Sequence, residues 1–180
     1  MKTYEVEIKG VTPLLFNKFN EADISDKVKK RTGAVADKNV EDKLYKTDDG
    51  QVYTPATHLI GCIGNAAKEF KIPGKRTSTY SKLVASSISV EPFAIVHKKQ
   101  KWDVFSISAV IPATRGRAMV HRPRLNEWAL AFTMGVDDGV PEETLKNILD
   151  HAGQYVGIGD WRPQKRGQFG KFIVTKFEEK

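Results

Sequence analysis

Gly157-Ile158-Gly159-Asp160-Trp161-Arg162-Pro163-Gln164-Lys165-Arg166-Gly167-Gln168-Phe169-Gly170-Lys171-Phe172 is the stretch on which the reading of the fold turns. It gathers four glycines, four cations and three aromatic rings. Glycine admits positive φ and close approach of another backbone. Arg and Lys supply charge for phosphates, and aromatic rings supply faces for bases. Just before it, residues 140–153 predict a helix. Leu145, Ile148, Leu149 and Ala152 recur on one face, Glu142 and Glu143 sit where the helix dipole favours acids, and Gly153 is the expected stop. Just after it, residues 169–177 read as a last strand.

Working outward, Tyr4, Val6 and Ile8 alternate with Glu5, Glu7 and Lys9, the period of a half-buried strand. Pro13 ends it. Residues 20–50 are rich in Asp, Glu and Lys and poor in large apolar side chains, so a long charged insertion is expected there, a candidate for mobility. Asp48-Asp49-Gly50 marks a turn inside a small hairpin. Residues 54–70 predict the first main helix, with Thr54 as cap and Pro55 at its first position. Gly61 and Gly64 in its interior point to close packing against the sheet or a bound chain. Strands follow over residues 87–96, 104–111 and 125–136. The cationic hairpin tip and return arm at residues 114–124 lie between the last two. The order strand, helix, strands, helix, strand predicts an α+β chain with a modified ferredoxin-like (RRM-like) βαββαβ fold. Extra β-hairpins and the long insertion after the first strand complete a single domain over residues 1–180.

The 180 residues carry a net charge of +7, with 40% hydrophobic and 28% charged residues. Such a basic excess is compatible with a polyanionic partner without requiring one. The single cysteine, Cys62, excludes an intrachain disulfide and a multi-cysteine zinc site. No apolar run approaches the length of a membrane span and no signal-peptide pattern opens the chain, so a cytoplasmic protein without a membrane partner is expected. No Walker loop or EF-hand spacing occurs. Gly157-Ile158-Gly159 lacks the strand-before, helix-after setting of a dinucleotide fingerprint. No metal and no cofactor is expected.

The glycine-rich loop between the last helix and last strand resembles the RAMP superfamily, the RNA-binding proteins of CRISPR effector complexes. Pro55-Ala56-Thr57-His58-Leu59-Ile60-Gly61 is similar to the proline-glycine-serine-serine-leucine-lysine-glycine start of the first helix in their backbone subunits. Pro55, Leu59 and Gly61 match, Thr57 replaces a serine, and Ala56 and Ile60 depart from a glycine and an RNA-holding lysine. The chain is also similar to small proteins of phages and mobile elements at Thr12-Pro13-Leu14-Leu15, Arg122-Pro123-Arg124-Leu125 and Gly159-Asp160-Trp161-Arg162-Pro163. The CRISPR resemblance implies RNA, the phage resemblance single-stranded DNA. Assembly along the strand as a homo-oligomer or within a nucleoprotein complex follows from the first.

The expectation is a non-catalytic binder of single-stranded nucleic acid lying across the sheet. Gly157, Gly159, Arg162, Lys165, Arg166, Gly167 and Lys171 form one wall of its groove, and Trp161 and Phe169 stack on bases. Arg115, Arg117, Arg122 and Arg124 form the other wall. The bland alternative makes Trp161 and Phe169 packing anchors and pairs Asp160 with Arg162. Of the four histidines, His58 and His121 are the candidates for a rival endoribonuclease activity, while His97 and His151 read as surface residues. A third reading is a phage assembly protein with acidic protein partners.

Overall fold

The computed structural model describes residues 1–19, 40–110 and 115–180. Its strands and helices are, in order, β1 (Lys2–Gly10), β2 (Leu14–Leu15), β3 (Tyr53–Pro55), α1 (Ala56–Ala66), α2 (Ser81–Ser87), β4 (Ile88–Glu91), β5 (Ala94–Val96), β6 (Asp103–Val110), β7 (Arg117–Leu125), β8 (Ala129–Val136), α3 (Glu142–His151) and β9 (Phe172–Glu179). Of the charged insertion, residues 20–39 lie outside the described residues, as do positions 111–114 at the hairpin tip. The end of that insertion is a 3₁₀ turn at Val40–Lys43, followed by the expected small hairpin, in which Lys46 bridges to Val52 around Gly50.

A four-stranded antiparallel sheet runs in the order β4-β8-β1-β9. With α1 between β1 and β4, and α3 between β8 and β9, this is the ferredoxin-like βαββαβ arrangement of an α+β chain. The alternation in β1 produces it directly. Tyr4, Val6 and Ile8 are buried beneath the helices, against Leu130, Phe132 and Met134 of β8 and Leu59, Ile63, Leu145 and Ile148 of the helices. Glu5 and Glu7 therefore point to the opposite face. A second sheet, β2-β7-β6, carries the long hairpin, and β3-β5 forms a third.

Several local expectations are corrected. Thr54 does not cap α1. It is buried in β3, its hydroxyl 2.9 Å from Nε2 of His97, and Pro55 is the cap residue with no side-chain cap. The helix ends at Ala66 in a 3₁₀ turn, Ala67–Glu69. His97 is only 1% exposed, wedged edge-on between Phe16 and Trp128, and not a surface residue. The strand expected over residues 87–96 breaks at Pro92 and Phe93 into β4 and β5. The 125–136 strand begins only at Ala129, and the last strand starts at Phe172. Gly153 does not stop α3. The chain continues as a π turn, Ala152–Val156, and stops at Gly157 with φ 71°. Gly153 is glycine because a Cβ there would stand 2.1 Å from the carbonyl oxygen of Phe172. Close packing of β9 on the helix explains it better than capping.

Candidate functional site

The glycine-rich loop folds back on the chain's own segment around β2. Gly170 N–H donates to Pro13 O (2.8 Å), Asp160 N–H to Leu15 O (2.9 Å) and Ile158 N–H to Gly170 O (3.0 Å). These close crossings explain its glycines. A Cβ on Gly170 would meet Ile158 O at 1.8 Å, one on Gly167 would meet Trp161 O at 1.7 Å, and one on Gly159 would meet Leu15 O at 2.5 Å. The approaching backbone that the sequence calls for is thus largely the protein's own.

Where the loop faces α1, a cleft of about 310 Å³ remains. Gly157, Ile158, Gly159, Asp160 and Arg162 make one wall. Thr57, His58, Gly61, Cys62 and Asn65 of α1 make the other. Leu15, Phe16, Asn17 and Tyr45 complete the lining. A Cβ on Gly61 or Gly64 would meet nothing within 4 Å, so neither glycine serves packing on the sheet, and Gly61 opens onto the cleft. The first turn of α1 contributes Thr57 and His58 at a helix end without a side-chain cap, where the Ala56 N–H is taken by Phe93 O (2.8 Å) and the helix dipole favours an anion.

Electrostatics sharpen the picture. Arg162 spends two donors internally, Nε on Gln164 Oε1 (3.2 Å) and Nη1 on Gly159 O (3.1 Å). It has no carboxylate partner among the described residues. Burial, and secondarily the charge of Arg162, holds the His58 imidazole below its ordinary value, so it is neutral at neutral pH. Its ring meets Tyr45 edge-on at 5.3 Å. Burial pushes the Cys62 thiol up to about 12, leaving it an inert wall residue whose Sγ lies 3.5 Å from Ala152 O.

The hairpin arginines behave differently from expectation. Arg122 binds Asp160 (Nε to Oδ2, 2.8 Å), so Asp160 pairs with β7 and not with Arg162. Arg124 makes a two-pronged bond to its cross-strand neighbour Asp103 (2.8 and 2.7 Å) and covers the Phe105 ring at 5.3 Å. This pairing holds the Asp103 carboxyl below its ordinary value. Both arginines are therefore committed to carboxylates, and the cleft's second wall is α1, not the hairpin. Arg115 and Arg117 are exposed at the described end of the hairpin, away from the cleft lining.

The aromatic rings of the loop also divide. Phe169 is 7% exposed and packs on Phe105 at 5.1 Å, so it is a packing anchor with no free face for a base. Trp161 is half-buried in an αL conformation (φ 47°), edge-on to Phe105 at 6.2 Å. Lys165 and Arg166 are exposed on the 3₁₀ turn Pro163–Lys165 and its cap. Lys171 is half-buried at the start of β9, its backbone N–H bonded to Thr12 Oγ1 at 3.0 Å.

The helix-free sheet face presents Glu5 and Glu7, each set against lysines, with Glu5 bound to Lys176 at 2.9 Å and Glu7 3.9 Å from Lys98. His58 lines the cleft. His121 does not: it sits on β7 with Nδ1 2.7 Å from Ser106 Oγ. His151 stacks between Phe70 and Tyr155 at the end of α3. Among the described residues no helix is long and apolar enough to cross a membrane, and no cluster of three or more His, Cys, Asp or Glu could hold a metal.

The sequence matches no protein-family model and no curated protein. In structure the chain is similar to one in the cryo-EM structure of the Type III-B Cmr-beta bound to cognate target RNA, with a TM-score of 0.60 at 13% identity. The match covers 99% of this chain and 60% of that one, so this chain spans less than two thirds of its neighbour's length. At that identity the likeness speaks for the fold alone, the ferredoxin-like arrangement described above.

Proposed function

We propose that the chain binds single-stranded nucleic acid without cutting it, as part of a nucleoprotein assembly. A backbone phosphate would lie in the cleft between α1 and the glycine-rich loop. The observation that carries this reading is Arg162: a guanidinium facing a cleft beside an uncapped helix N-terminus, with no carboxylate to neutralise it among the described residues. Thr57 and Asn65 add polar groups from α1, and Lys165 and Arg166 extend the positive field outward. RNA is favoured over DNA because the structural neighbour is a chain of a complex bound to target RNA. A phosphate held by a few cations binds with a salt dependence that grows with their number.

Fluorescence anisotropy of labelled single strands over a salt series tests this. Salt-dependent binding that weakens in Arg162→Ala is expected. Absence of binding at low salt would overturn it. His58 in the same cleft sustains one rival, strand scission. Cleavage of structured RNA that disappears in His58→Ala would replace the present reading.

A further inference from the structure

We infer that Tyr155 is a base-stacking subsite next to the Arg162 cleft, so that the bound strand passes from the cleft over Asn65 onto the π turn at the end of α3. This rests on the proposed function and adds to it a second contact of different chemistry. Tyr155 lies on a π turn, a local feature often found at functional sites. The turn buries Gly153 and Val156 and leaves Tyr155 57% exposed. The ring is nonetheless pre-oriented. It lies against His151 at 4.7 Å, tilted by 39°, and His151 in turn meets Phe70 edge-on at 5.6 Å. A ring held on one side and open on the other has the geometry of a stacking platform.

Tyr155 also lines a second cleft, of about 330 Å³, with Asn65, Lys68, Glu69, His151, Val156 and Gln164. Two links join it to the first cleft. Asn65 lines both, and Gln164 accepts the Arg162 Nε hydrogen bond. Lys68 Nζ is anchored on Asn65 Oδ1 at 2.8 Å, which places a cation at the junction. The Tyr155 ring and the Lys68 cation thus line one cleft, and Arg162 and the start of α1 line the adjoining one. A strand crossing both would meet a ring for a base and cations for its phosphates. Glu69 is the one acid in the second lining, so the site takes a neutral base there, not a phosphate.

The test uses the full chain and a short oligoribonucleotide carrying 2-aminopurine. Wild-type protein should quench the probe's fluorescence on binding, as stacking does. Tyr155→Ala should abolish the quench and weaken binding about tenfold, the loss typical of one stacked base, while Tyr155→Phe retains both. Arg162→Ala should weaken binding yet leave the quench at saturation. If Tyr155→Ala binds and quenches like wild type, the stacking subsite is overturned and the cleft reading stands. If the wild-type chain binds no strand, both fall together. An unchanged melting temperature in Tyr155→Ala separates lost stacking from misfolding.

Discussion

The glycine-rich loop and the β6–β7 hairpin look alike in sequence, each a run of cations broken by glycine or a turn. In the structure Arg122 and Arg124 of the hairpin and Arg162 of the loop are opposites. The hairpin's Arg122 and Arg124 are bound to Asp160 and Asp103, which makes them braces, the first between the second sheet and the loop and the second within the sheet. The loop's Arg162 is held in place through Gln164 and Gly159 O, with its charge uncancelled among the described residues. What matters for a polyanion is the number of cations without a carboxylate, not the number of cations. The hairpin even serves the loop: Arg122 fixes Asp160, whose backbone N–H is bonded to β2.

Breaking the loop's own packing should produce the largest effect. In Gly170→Ala a Cβ would collide with Ile158 O at 1.8 Å at a residue with φ 71°. A loss of at least about 3 kcal/mol is expected, in line with combined overpacking and backbone strain. Urea unfolding measures it. A near-neutral result would show that the loop is not built on these crossings.

Acid separates the two regions next. The cleft's lining residue Phe16 packs on His97, whose pKa burial lowers to about 4 from an ordinary value near 6.5. Below about pH 6.5 the unfolded chain takes up a proton that the folded chain refuses, so stability falls as pH drops and levels out below about 4. The full loss is on the order of 3 kcal/mol. His58, shifted the same way, adds to it. The hairpin's Asp103 carboxyl has a lowered pKa, so its contribution is present above its ordinary value near 3.8 and is lost only below that. Melting curves from pH 7 to 4 should show a steady drop. A flat profile would contradict the buried, neutral His97.

Smaller and more diagnostic is a pair of glycines one helical turn apart. Gly61→Ala and Gly64→Ala each add a Cβ with nothing within 4 Å, so each should stabilise the helix by up to about 1 kcal/mol. Only Gly61 lines the cleft, so only Gly61→Ala should also weaken strand binding, by a few-fold in anisotropy titrations. Equal binding by both variants would move the strand away from α1.

Much of the fold was legible. The period-two pattern of Tyr4, Val6 and Ile8 and the apolar stripe of Leu145, Ile148 and Leu149 are local signals that tertiary packing reinforces. Long-range partners were not. Thr54 has the composition of a cap, but His97, 43 positions away, claims its hydroxyl. Gly153 looks like a helix stop until Phe172 arrives against it. The Arg124–Asp103 pair carried a signal, since both residues lie equally far from the hairpin tip in the observed register. Arg122–Asp160 carried none, because it depends on how the loop docks on the second sheet.

The most direct measurement compares salt slopes of single-strand affinity in Arg162→Ala and Arg117→Ala. Arg162→Ala is expected to lower affinity about tenfold and to reduce the slope of log K against log salt by about one. Arg117→Ala should change either quantity much less, and melting temperatures should stay within a few degrees of wild type. The reverse ranking, with Arg117 dominant and Arg162 silent, would place the strand on the hairpin and contradict the cleft.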